Sequence, residues 1–330
     1  MKLSKSLVSI LFSTFAFSSA WAMTTVRLDA AGGSMQFMPV MDQQKSATCY
    51  AYTATQMYDS YRFGREHDSR TQVLSSPQAL AIEYTLNGAE DLDWNGGYPD
   101  PTLTYAIVNG TCSYQDFNGD LNGNSIDQFM QSLESELNGL NPNGPGAGFD
   151  SNSPFTRHDD PRAEALRNIA IHRAYQRQRL MEKAQERVTE RCQERITLSA
   201  APQMTKVDLD GATRLDKLKS SVQTTLQNKH AAAIGMVYCE DFLRGNGDRV
   251  VDQNGLFQRL ECKEYHASVL VGWRGNNNQV EEVLLRNTRG TSCDKYGDKW
   301  KTRCEAGQLW IPAEDLALNA QYLLLLQGRD

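Results

Sequence analysis

The chain has 330 residues, with 34 Lys and Arg against 40 Asp and Glu for a net charge of −6, and 40% of its residues are hydrophobic. That balance is ordinary for a globular protein and excludes general nucleic-acid binding, which asks for a clustered positive field. The length allows one large two-lobed domain or two domains.

Lys2 and Lys5 precede an apolar run from Leu7 to Phe17, and Ala20-Trp21-Ala22 supplies a small-x-small cleavage site. The pattern predicts a secretory signal over residues 1–22, with a mature chain starting near Met23 and exported to the periplasm or out of the cell. No other run approaches the roughly 18 apolar residues that cross a bilayer, so no membrane span is expected. Seven cysteines is an odd number, which in an exported chain reads as pairs plus one free thiol. If Cys49 is the free one, the remaining six can pair in many ways. Closeness in sequence favours Cys239–Cys262 and Cys293–Cys304, leaving Cys112–Cys192. No C-x-x-C spacing with nearby histidines occurs, and neither a metal nor a cofactor is expected.

Residues 39–52 are polar and turn-prone up to Cys49, then apolar and aromatic. From Cys49 to about Arg65, Ala51, Ala54, Met57 and Tyr58 recur at helical spacing, and Gly64 marks the expected stop. Cys49 then heads a helix, where unpaired N–H groups and the helix dipole favour a thiolate. Gln43, six residues upstream, can aim its amide at the same point as a donor to a developing oxyanion. Residues 74–80 start a second helix, with a serine cap and Pro77 at the first helical position. Asp93 to Pro99 is a turn-rich loop in which Gly96 and Gly97 let backbone approach backbone.

Residues 125–137 carry helical periodicity, and 138–153 form a Gly-, Asn- and Pro-rich exposed loop. Residues 161–196 read as one long helix with an apolar stripe from Leu166 to Ile196. Nine Arg and Lys against five Glu make that helix basic. A solvated face laced with i,i+4 pairs accounts for this more simply than a polyanion site. The second lobe starts near Val207. A helix over 216–229 and strands over 231–238, 265–273, 279–286, 307–311 and 321–327 predict an antiparallel sheet or open barrel. Of five histidines, His67, His158, His172 and His230 lie in polar surroundings and read as surface residues. His266 instead begins an apolar strand. Asn287 ends the next one, and neighbouring strand ends can bring its amide oxygen to the imidazole, fixing the tautomer while the other nitrogen faces the thiol.

Pro39-Val40, Gln43 and Cys49-Tyr50-Ala51-Tyr52 resemble the nucleophile segment of the papain-like cysteine peptidases. The likeness continues in order through Leu74-Ser75, Asn95-Gly96-Gly97-Tyr98-Pro99, His266-Ala267, Gly272-Trp273, Asn287-Thr288-Arg289-Gly290 and Gly307-Gln308-Leu309-Trp310-Ile311. It covers roughly residues 37–115 and 207–327. The resemblance implies an α+β, papain-like two-lobed fold: a helical lobe over 23–115, a helical insertion over 116–201, and a β-rich lobe over 202–330, with the active site in the cleft. It implies an exported cysteine endopeptidase that hydrolyses peptide or protein substrates through a Cys49 thioester. Cys49, His266, Asn287 and Gln43 would be catalytic. Gly96 and Gly97 would meet substrate main chain, Tyr98 would wall a pocket, and Tyr265 and Ala267, beside Glu264, would line a specificity pocket.

Five positions depart from the family pattern. Gln44 stands where glycine is usual, and Ser46-Ala47-Thr48 replaces Cys-Gly-Ser, which removes a common disulfide and narrows the cleft. Arg289 replaces the tryptophan that shields the His–Asn bond, with Trp300 a candidate substitute. The departures favour an alternative, a catalytically inactive binding protein; a Cys–His acyltransferase or transglutaminase-type enzyme is another. Only residues 23–38 would precede Pro39 after cleavage, too few for the family's inhibitory propeptide. The 116–201 insertion is therefore either a self-inhibitory lid, nicked at 138–153, or, more simply, an added packing or partner-binding element.

Overall fold

The computed structural model describes residues 23–65, 73–87, 96–118, 125–140, 161–244, 250–251, 257–258, 262 and 264–328. The expected signal, His67, His158 and most of the 138–153 loop lie outside them. β1 (Thr24–Arg27) opens the described chain, and α1 (Cys49–Arg65) organises the rest. α1 spans the predicted range, yet Tyr50 to Gly64 are buried around its whole circumference. Its polar residues must therefore find partners inside the protein. Asp59 accepts from Ser75 N at 2.8 Å and Ser75 Oγ at 2.7 Å, and pairs with Arg62 at 3.1 Å. Gly64 sits in the last turn, one residue before the helix ends at Arg65. A Cβ there would collide with the His230 carbonyl, so the glycine lets second-lobe backbone close on the last turn.

α2 (Pro77–Asn87) starts as predicted, with Ala79 N donating to the Ser76 hydroxyl. α3 (Pro99–Asn109) is a helix that the turn-rich reading of 93–99 hid. β2 (Thr111–Cys112), α4 (Tyr114–Asn118), α5 (Ile126–Leu140) and α6 (Pro161–Arg191) follow. The long helix ends at Arg191 rather than Ile196, because Cys192 bridges to Cys112 and β3 (Arg195–Ile196) pairs antiparallel with β2. Met130 and Leu133 of α5 and Met181, Ala184 and Val188 of α6 join Tyr50, Ala51, Ala79 and Ile82 in one hydrophobic core. Each large buried side chain of this kind contributes about 1.5–3 kcal/mol. α5 and α6 are thus built into the helical lobe.

The second lobe comprises β4 (Gln203–Asp208), α7 (Arg214–Thr225), β5 (Ile234–Cys239), α8 (Asp241–Arg244), the small hairpin β6 (Val250–Val251) and β7 (Phe257–Gln258), and β8 (Tyr265–Gly275). It continues through β9 (Glu282–Arg286), α9 (Asp298–Lys301), β10 (Cys304–Glu305), β11 (Gln308–Pro312), α10 (Ala313–Asn319) and β12 (Ala320–Gln327). The main sheet runs β10-β11-β9-β8-β5-β12-β4, antiparallel throughout and open at its ends. β5 pairs with the first half of β8 and β1 with the second. Residues 24–27 therefore belong to the β-rich lobe, not to the helical lobe that 23–115 was expected to form.

The architecture is the α+β arrangement of a helical lobe and an antiparallel-sheet lobe. The three disulfides are Cys112–Cys192, Cys239–Cys262 and Cys293–Cys304, and Cys49 is free. Among the described residues no helix is long and apolar enough to cross a membrane.

Candidate active site

Cys49 is the first residue of α1 and only partly buried. His266 is the second residue of β8 and 3% exposed. Because Val269 pairs with Arg286, the end of β9 lies beside the start of β8 and delivers Asn287 to the histidine. His266 Nε2 lies 2.7 Å from Asn287 Oδ1. The same oxygen accepts from Thr288 N at 2.8 Å and Ser268 Oγ at 3.3 Å. It is thereby fixed as an acceptor, so the ring carries its proton on Nε2 and turns Nδ1 to the sulfur. Thiol and ring are hydrogen-bonded, and the Ala267 N–H donates to the same sulfur.

Burial by itself would raise the thiol pKa and lower the imidazole pKa. The charge attraction and hydrogen bond between the two groups outweigh it, so the Cys49 thiol is lowered and the His266 imidazole raised. This arrangement favours a thiolate beside an imidazolium.

Gln43 is buried next to them. Its Nε2 donates to Ser46 O at 2.7 Å, and its Oε1 accepts from the Thr288 hydroxyl. Gln43 N donates to Thr288 O at 2.8 Å and Gly290 N to Met41 O at 2.9 Å, while Lys295 Nζ reaches Asp42 Oδ2 at 3.0 Å. These contacts form a strand-like seam that locks the nucleophile loop to the asparagine loop. Gln44 takes the left-handed φ of 58° that glycine adopts freely. Ser46, which stands where the family carries a disulfide cysteine, donates its hydroxyl to Gln43 O at 2.7 Å and lies 2.8 Å from the Thr48 hydroxyl. A hydrogen-bonded turn thus does the holding.

The expected substrate residues are differently placed. Gly96 and Gly97 are exposed, and a Cβ on Gly97 would sit 3.0 Å from the Tyr50 ring, so that glycine brings the loop against the residue after the nucleophile. Tyr98 is 65% exposed and Tyr265, next to His266, is 48% exposed. Ala267 corrects one expectation: its side chain is buried in the core, and what it offers the site is its backbone N–H. Ala47 is exposed and, with Lys45, lines a cavity of about 350 Å³ whose far wall is Asp127, Gln131 and Glu134 of α5. His230 is exposed.

Trp300 does not replace the missing tryptophan. It is fully buried, donates its Nε1 to Phe242 O at 2.8 Å and packs edge-on against Phe242. The ring meeting His266 edge-on is Tyr238, at 5.7 Å. Arg289 is engaged with Glu240, which follows β5 directly. Burial would raise the Glu240 carboxyl, but the Arg289 bond, the His266 charge and Arg244 hold it down at about 2. A depressed acid contributes stability above its unfolded pKa and loses it as pH falls through the folded value. Glu240 should therefore stabilise the fold fully above pH ~4.5 and cease to do so by pH ~2. Urea midpoints across that window should fall less steeply for Glu240→Gln than for wild type.

No family model matches the chain, and no curated protein matches it. Several solved structures are similar in fold. One is the Amb a 11 cysteine protease, a ragweed pollen allergen, in its proform: 13% identity, 96% of this chain and 69% of that one covered, TM-score 0.47. A Carica candamarcensis cysteine protease in complex with E-64 gives 12%, 93% and 99%, with TM-score 0.47. A digestive procathepsin L of Tenebrio molitor larval midgut gives 12%, 94% and 72%, with TM-score 0.45.

Proposed function

We propose that this protein is an exported, papain-like cysteine endopeptidase. The observation that carries the reading is the contact of the free Cys49 with a histidine whose far nitrogen is held by Asn287. The Cys49 thiolate attacks a peptide carbonyl carbon. As the C–S bond forms, the oxyanion is received by the Cys49 N–H, which the helix's own ladder does not use, and by the second Nε2 hydrogen of Gln43. Each such donor is worth about 3 kcal/mol of barrier. The imidazolium passes its Nδ1 proton to the leaving amine as the C–N bond breaks, leaving a thioester. His266 then takes a proton from water, which attacks the thioester. The C–S bond breaks, the acid departs, and the thiolate–imidazolium pair returns.

Gly97 would hold substrate main chain in extended form, with Gly96, Tyr98 and Tyr265 beside it. Export is supported by the signal pattern of residues 1–22 and by three disulfides, which persist in oxidising compartments. The buried side chains of the insertion belong to the helical-lobe core, which favours a packing role over a self-inhibitory lid. The Arg289 substitution favours the inactive binding protein; the intact hydrogen bonds of Cys49, His266 and Asn287 favour catalysis.

Mature protein should be labelled at Cys49 by an epoxide-type thiol inhibitor and should cut members of a peptide library, while Cys49→Ala does neither. Wild type that is neither labelled nor active would leave the binding reading. Amide products formed with an added amine acceptor would point to the acyltransferase.

A further inference from the structure

An ion pair, Glu240 with Arg289, sits at the edge of the sheet beside the His266 ring. Tyr238 faces His266 and Cys239 faces Tyr265 across β5 and β8, and Glu240 N then donates to Glu264 O at 3.0 Å. Residues two apart along a strand share a face. Glu240 therefore lies diagonally from His266, on the Tyr238 side of the sheet, within reach of a long side chain. Its residue is 2% exposed. Arg289, two positions after Asn287, grips its carboxylate through Nε at 2.6 Å and through Nη2. Arg244 adds a bond of 2.7 Å and also holds Glu264 at 2.6 Å. The Cys239–Cys262 disulfide anchors the turn from which Glu240 projects.

We propose that Glu240 and Arg289 are a positioning pair for the thiolate–imidazolium couple, Glu240 serving as a second counter-charge to the His266 ring and Arg289 setting how much of that charge the ring feels. The inference rests on the reading of Cys49 and His266 as a reactive couple, but not on the substrate being a peptide. The charged or titratable groups around the ring are Cys49 from α1, Tyr238 and Glu240 from β5 and its end, and Arg289 after β9. Arg244, Glu264 and Tyr296 stand behind them, and Ser268, Asn287 and Thr288 are neutral.

A buried ion pair could be wholly structural, and removing either half would then only loosen the site. The two halves act on the ring with opposite sign, however. The Glu240 charge makes both His266 and Cys49 hold their protons more tightly, whereas the Arg289 charge makes His266 release its proton sooner. Structural loosening has no such signature.

The test is the rate at which iodoacetamide alkylates Cys49 in the full mature protein as a function of pH, with thermal unfolding as a check on folding. The lower limb reports thiolate formation beside the imidazolium, and the upper limb the loss of the imidazolium proton. Glu240→Gln should move both limbs down by about one pH unit. Arg289→Met should move the upper limb up, and Arg289→Lys should leave it close to wild type. The double variant E240Q/R289M should return toward wild type, since its charges are removed together. Limbs that stay put in both single variants, or move in the same direction, overturn the proposal. Should E240Q fail to fold, Arg289→Met and the double variant decide the question. Alkylation reads the couple whether or not peptides are cut: limbs that move as expected without any cleavage would sink only the peptidase reading.

Discussion

Replacing His266 with alanine is expected to lower kcat/KM for a cleaved peptide by about 10⁴-fold, nearly all of it in kcat. Two losses combine. Without the imidazolium, Cys49 loses the charge and hydrogen bond that counter its burial and keeps only the Ala267 N–H against it, so little thiolate exists near neutral pH. The leaving amine also loses its proton donor. Asn287→Ala should cost less, about 10²-fold, because His266 loses the acceptor at 2.7 Å that orients its ring but keeps its own acid–base group. A fluorogenic peptide assay measures both. His266→Ala should also abolish the acidic limb of Cys49 alkylation and leave a thiol that reacts only at alkaline pH. A variant that retains wild-type rate would mean the observed pairing has no part in the chemistry.

The next largest effect concerns stability. Deleting residues 116–200 is expected to prevent folding rather than unmask activity. The deletion removes Met130, Leu133, Met181 and Val188 from the core they share with Tyr50 and Ile82. At about 1.5–3 kcal/mol each, these four approach the whole stability of a typical domain, about 5–15 kcal/mol. A milder variant measures the fastening alone. Cys112 and Cys192 are 80 residues apart, and opening a loop of that size in the unfolded chain costs about 4–5 kcal/mol in the chain-entropy account. The Cys112→Ser, Cys192→Ser double variant should melt about 7 °C lower. Part of the clasp would survive: Tyr58 OH still donates to Ile196 O at 2.8 Å, and Arg195 Nη2 to Glu83 at 3.0 Å. An insertion that left a folded, more active enzyme on deletion would restore the lid.

What was legible in the sequence was local or nearly so. The span of α1 follows from its apolar spacing, and the serine cap of α2 from two adjacent residues. His266 and Asn287 could be paired because they end neighbouring strands. α3 was hidden because Pro99 and Pro101 look like a turn, although a helix tolerates proline in its first turn. The end of α6 was overrun because the apolar stripe continues to Ile196, while the disulfide and the β2–β3 pairing that stop the helix are made with distant residues. The Glu240–Arg289 pair spans 49 positions, and Glu240 opens a Gly-, Asp- and Asn-rich stretch with no sign of burial. Trp300 was misplaced for a related reason. An aromatic residue advertises that it will be covered, not by what.

The seam between residues 41–43 and 288–290 joins pieces made at opposite ends of synthesis. A ribosome releases the cysteine long before it has made the histidine, the asparagine or the threonine that steadies Gln43. Until the last third of the polypeptide has wrapped back onto the first, Cys49 lacks both the imidazole and the Ala267 N–H that lower its pKa in the folded protein. On the proposed reading, reactivity is therefore switched on by completion of the fold itself.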